Sequence, residues 1–88
     1  MRSHLVITNL TLCESALSAL QKGNDKDAED ALNALHIVNE GWPYILRSVE
    51  KAYLALTIQA SGAGSPPASW GTPSYMVADG IATLRTLL

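Results

Sequence analysis

The sequence predicts an all-α protein: a small antiparallel bundle of three to four helices, with a long Gly/Ser/Pro-rich loop before the last helix. Three observations lead there. Leucine and alanine supply 25 of the 88 residues, and both lose little side-chain freedom on entering a helix. Apolar residues recur at three- and four-residue spacing in four stretches. Helix-ending and helix-starting residues (Gly23-Asn24, Gly41 to Pro43, Thr72-Pro73) fall between those stretches. One domain over residues 1–88 is expected, with helices at about 3–22, 25–40, 43–60 and 73–87 and a loop at 61–72.

In the first stretch Val6, Leu10, Cys13, Leu17 and Leu20 form one stripe, and Leu5, Leu12, Ala16 and Ala19 form a second beside it. Together they cover about half the circumference, more than the roughly 100° needed to face a single core. The second stripe is therefore assigned to an oligomer interface, with a homodimer expected. Gly23 suits the left-handed position that ends many helices. The second stretch opens Asn24-Asp25-Lys26-Asp27-Ala28-Glu29-Asp30, a capping residue followed by acids that favour the positive end of a helix. Ala28, Ala31, Leu32, Leu35 and Val38 are its inward set.

Gly41-Trp42-Pro43 marks a break before the third stretch, whose inward residues are Ile45, Leu46, Val49, Ala52, Tyr53, Leu56 and Ala60. The apolar register runs unbroken from Ala31 to Leu56, so one long helix kinked at the proline is the alternative. Residues 61–73 are almost all Gly, Ser, Pro or Ala, and form an irregular connection, with Trp70 expected to pin it near Trp42 or Tyr44. Thr72 and Pro73 then read as cap and first residue of a helix with Val77, Ile81, Leu84 and Leu88 inward, weakened by Gly80.

Composition excludes several classes of function. Six basic against eight acidic residues give a net charge of −2, opposite to the usual basic nucleic-acid binder. A single cysteine permits neither an intramolecular disulfide nor a Cys-rich zinc site. No apolar run approaches the roughly 18 residues of a membrane span. Arg2 followed by Leu5, Val6 and Ile7 faintly imitates a secretory signal, but Thr8, Asn9 and Thr11 are too polar for its apolar region. A cytoplasmic protein is expected.

Catalytic, metal and cofactor motifs find no support. His4 and Cys13 are nine residues apart, which is not ligand spacing on a helix, and His36 has no partner. Cys13 reads as a small buried hydrophobe. Asp25-x-Asp27-x-Glu29 imitates the start of a calcium loop, but Asp30 and His36 stand where that loop needs Gly and Glu. Gly62-Ala63-Gly64 follows a helix instead of a strand, so it is no phosphate loop.

What stands out is surface. Arg47, Lys51, Leu54 and Ile58 form a row on the outer side of the third helix, two cations beside two aliphatic side chains, with Trp42 and Tyr44 at its edge. Such a row suits an acidic, apolar protein partner. The function expected is therefore a small non-enzymatic interaction module, a regulator or inhibitor acting by occupying a protein surface. Two alternatives stand beside it. One is a helix-turn-helix-like nucleic-acid module built on the second and third helices. The other is a structural subunit of a larger assembly.

Overall fold

The computed structural model describes residues 3–88. Arg2, the positive end of the signal-like stretch, lies outside the described residues. Four α-helices follow one another: α1 (Ser3–Gln21), α2 (Asp25–Val38), α3 (Arg47–Ser61) and α4 (Pro73–Arg85). Two 3-10 turns, Tyr44–Leu46 and Ala68–Trp70, precede α3 and α4. No strand occurs among the described residues, and no helix is long and apolar enough to cross a membrane.

The ends of these helices follow from local chemistry. Asn24 caps α2 by accepting a hydrogen bond from the Asp27 amide at 3.4 Å. Thr72 caps α4 by accepting from the Tyr75 amide at 3.2 Å, with Pro73 in the first turn. Both satisfy donors that a helix start leaves open. Asp25, Asp27 and Asp30 are exposed and Glu29 is half-buried; Asp27 accepts from the Asn24 side chain at 2.6 Å, and Lys26 pairs with Asp30 at 3.0 Å. Between α2 and α3 the chain breaks fully. Glu40 and Gly41 take positive φ (54° and 134°), so the second and third helices are separate instead of one kinked rod.

The core is a single cluster drawn from all four helices: Val6, Cys13 and Ala16; Ala28, Leu32 and Leu35; Val49, Ala52, Ala55 and Leu56; Met76, Val77, Ile81 and Leu84, with Leu46 from the first 3-10 turn. α1 and α2 form an antiparallel hairpin about the Gly23 turn, with Asn9 bonded to Asn39 at its far end. α1 also packs along α4. That second contact explains the wide apolar arc of α1, because Leu5 and Ala19 border grooves shared with α2 while Leu17 borders one shared with α4.

Three inward assignments change: Val38 and Ala60, at the ends of α2 and α3, and Leu88, past the end of α4, are exposed. Gly80, read as a weakness, is buried where α4 meets α3, and a Cβ there would collide with Cγ2 of Val49. The loop's Trp70 is half-buried and packs against the core. It is in no ring pair among the described residues, where the pairs are His36 with Trp42 and Trp42 with Tyr53.

Candidate functional site

The outer row on α3 starts one turn earlier than its four residues suggest. Tyr44, Arg47, Lys51, Leu54 and Ile58 follow a 3-4-3-4 spacing that runs from the 3-10 turn into α3. Tyr44 is 83% exposed and Leu54 41%, Arg47 and Lys51 are exposed, and Ile58 is half-buried. The Arg47 guanidinium donates to Glu50 at 3.1 Å, which leaves Lys51 the cation without an ion-pair partner in this row. α3 has its own inward face in Val49, Ala52, Ala55 and Leu56. The core is complete without the row.

Trp42 does not share that outward setting. Its ring lies 5.2 Å from His36 and 5.6 Å from Tyr53, tilted against both, and it packs on the core. Half-buried, it joins α2 to α3. The α1 seam changes as well. Ala16 is fully buried inside the chain, and Leu12 and Ala19 are half-buried against the same core. The reason is that both α2 and α4 pack on α1, so the chain's own core takes more of its circumference than one stripe. Two of that set still border open grooves, Ala19 between α1 and α2 and Leu5 at the end of α2.

That groove, at the corner where α2 ends and the 3-10 turn begins, was not anticipated from the sequence. Leu5, Val38, Pro43 and Ile45 give it apolar walls, and Asn39, Glu40 and Tyr44 stand at its edge. Its back wall is pinned from inside. Asn9, fully buried, and Asn39 exchange side-chain hydrogen bonds: the Asn39 amide donates to Asn9 Oδ1 at 2.6 Å, and the Asn9 amide donates to Asn39 Oδ1 at 3.3 Å. Each amide also donates to its own helix, Asn9 to the Leu5 carbonyl at 2.7 Å and Asn39 to the Leu35 carbonyl at 2.8 Å. A buried amide without partners is costly; these two satisfy each other. The signal was available, since Asn9 falls within the apolar arc of α1 and at three- and four-residue spacing from Val6 and Cys13.

Titratable chemistry is sparse. Burial pushes the Cys13 thiol up to about 12, with the nearby Glu14 carboxylate adding to the effect. Such a thiol is a poor nucleophile and a poor metal ligand. Among the described residues no group of three or more His, Cys, Asp or Glu side chains is placed to hold a metal ion. A broad polar groove between α1 and α2 mixes Glu14 and Asp27 with Lys22 and several hydroxyls, and so presents no single charge. No family model, no curated protein and no solved structure matches this chain. The geometry alone carries the functional argument.

As a helix-turn-helix-like pair, α2 and α3 would offer nucleic acid the cations Lys26, Arg47 and Lys51, the first already shared with Asp30 and the second with Glu50. Binding of that kind draws its strength from several phosphate contacts. The row's two aliphatic side chains and exposed tyrosine suit a protein surface better.

Proposed function

We propose that this chain is a small non-enzymatic interaction protein, a cytoplasmic regulator or inhibitor that binds an acidic, apolar surface of another protein. The working form we propose is a homodimer, because a chain of 88 residues buries a limited core by itself. Its seam lies away from Ala16, which the chain's own core consumes. The observation that carries the functional proposal is the outer row. Tyr44, Lys51 and Leu54 stand exposed in one line along a helix whose inward face is already filled. An aromatic, a free cation and an aliphatic group side by side are the usual makings of a binding hot spot with a polar rim.

The test compares the wild-type chain with a Lys51→Glu, Leu54→Ser variant in cross-linking capture from source cells, followed by mass spectrometry. Ile58 is left intact because it is half-buried. The expected result is a partner with an acidic contact surface that the variant loses, while the melting temperature of the variant stays close to wild type. Equal capture by both chains would remove the α3 row from the function.

A further inference from the structure

The same helix-ending motif occurs twice in this chain, once with the residue it favours and once without. At the end of α1 the amide of Gly23 donates to the Leu20 carbonyl and that of Asn24 to the Ala19 carbonyl. Gly23 sits between them in the left-handed region at φ 75°. At the end of α2 the amide of Glu40 donates to Ile37 and that of Gly41 to His36. Here the left-handed position, φ 54°, is held by Glu40, the one non-glycine residue at positive φ among the described residues. Glycine is the usual occupant because a Cβ crowds the backbone there. The glutamate therefore works against helix termination, and its side chain must be accounted for by something else.

Its place supplies the account. Glu40 stands at the edge of the groove walled by Leu5, Val38, Pro43 and Ile45, and among the described residues it is the one charged residue on that groove. It is exposed and has no ion-pair partner among the described residues. The groove is also held in shape before any ligand arrives. Asn39 spends its amide on Asn9 and Leu35, so it braces the wall instead of reading a ligand. Proline at 43 fixes the turn that carries Tyr44. Walls set in advance lower the ordering cost of binding.

We infer that this corner groove is a second binding site, and that it takes a peptide segment pairing an aliphatic or aromatic side chain with a lysine or arginine. The apolar side chain lies against Val38, Ile45 and Leu5, and the cation meets the Glu40 carboxylate. Charge complementarity selects this occupant: an acidic segment would face Glu40 unpaired, and a purely apolar one would leave the carboxylate without a use. The site adjoins the α3 row at Tyr44, but the row carries the opposite charge in Arg47 and Lys51.

The experiment selects binders to the full chain from a displayed library of random dodecapeptides, then titrates the enriched peptides, made synthetically, against wild type and variants. The expected peptides carry Lys or Arg within a few residues of Leu, Ile or Trp. Glu40→Gln, which keeps the backbone crowding and removes the charge, should weaken binding about tenfold at low salt, and added salt should erase most of that difference. Glu40→Gly should weaken binding equally while raising the melting temperature by about 5 °C, since it relieves the left-handed position. Val38→Ser should weaken binding without unfolding the chain, because Val38 is 44% exposed. Enriched peptides without a cation, no enrichment, or affinities unchanged by Glu40→Gln and Val38→Ser would each overturn the inference. So would loss of peptide binding in the Lys51→Glu, Leu54→Ser variant with Glu40→Gln silent, which assigns the peptide to the α3 row.

Discussion

Replacing Gly80 by alanine sets two effects of known sign against each other. In a helix interior alanine is better than glycine by about 1 kcal/mol, and Gly80 lies in the middle of α4. Taken alone, that predicts a stabilised protein. The packing predicts the reverse. A Cβ on Gly80 would collide with Cγ2 of Val49 and lie 3.8 Å from its Cβ. Val49 cannot swing aside, because it is fully buried on α3 and a β-branched residue in a helix has essentially one side-chain rotamer. Overpacking of this kind costs about 1–3 kcal/mol, and a collision this close, with a neighbour this rigid, belongs at the upper end. The expected net loss is about 2 kcal/mol, or roughly 10 °C in melting temperature for a chain of this size. Val49→Ala alone should also destabilise, by about 2 kcal/mol, since two buried carbons leave and a space remains. In that background the sign flips. The new methyl at 80 enters the vacated space, and Gly80→Ala should now stabilise by about 1 kcal/mol. The coupling between the two sites is then about 3 kcal/mol, at the top of the range for residues in contact. Urea unfolding followed by circular dichroism measures all four chains, and constant m-values show that the unfolded states are comparable. A Gly80→Ala chain more stable than wild type would refute the close approach of α3 and α4.

Two further outcomes follow from buried groups. Asn9→Ala should destabilise by about 2 kcal/mol, and the double variant with Asn39→Ala should fall short of the sum by about 1 kcal/mol, because either change alone already breaks the mutual amide bonds; strictly additive losses in urea titrations would show that the pair does not act as a unit. The Cys13 thiol, raised from 9.0 to about 12, should resist a thiol reagent in the native protein near neutral pH and react on unfolding. Because the folded chain holds this proton more tightly than the unfolded one, its contribution to stability is intact below pH 9 and declines from there towards about 12. A Cys13→Ala variant with the same alkaline loss would assign that loss to other groups.

The helices were legible because their periodicity is strong and their ends carry specific chemistry. Asn24 and Thr72-Pro73 announce α2 and α4, and the structure places both caps where the residues call for them. What was not legible depends on which helices are neighbours. The half-circumference of apolar residues on α1 fits one helix plus a dimer seam as well as it fits two helices, and the periodicity of a single chain does not separate these. Packing on α2 and α4 consumed Ala16 and half-buried Leu12 and Ala19. Gly80 had the same difficulty in reverse. Within its own helix it is a poor residue, and only the presence of Val49 across the contact makes its missing side chain useful. Asn9 looked like an interruption of an apolar segment until Asn39, thirty residues away in sequence, came beside it. Four of the six residues expected to meet a partner are exposed, Ile58 is half-buried, and Trp42 is taken up by His36 and Tyr53.

The separation of these roles in space has a consequence for how variants should behave. Stability is concentrated on inward contacts, with Val49 against Gly80 and the mixed core of four helices. The candidate binding surfaces use residues the core leaves aside: Lys51 and Leu54 along α3, Glu40 and Val38 at the corner. Changes to the second group should therefore alter binding at nearly constant stability, as surface substitutions usually do. Asn39 crosses this division. It borders the corner groove, yet its amide is bonded to fully buried Asn9 and to the last turn of α2. Disturbing it loosens the groove wall and the α1–α2 hairpin together, so its effect on peptide binding should always arrive with a loss of stability. Glu40 behaves in the opposite way. Its backbone position penalises folding while its carboxylate serves only the groove, so relieving one and losing the other are a single substitution with opposite signs in the two assays. A residue that gains stability and loses binding on mutation to glycine is one retained for its side chain.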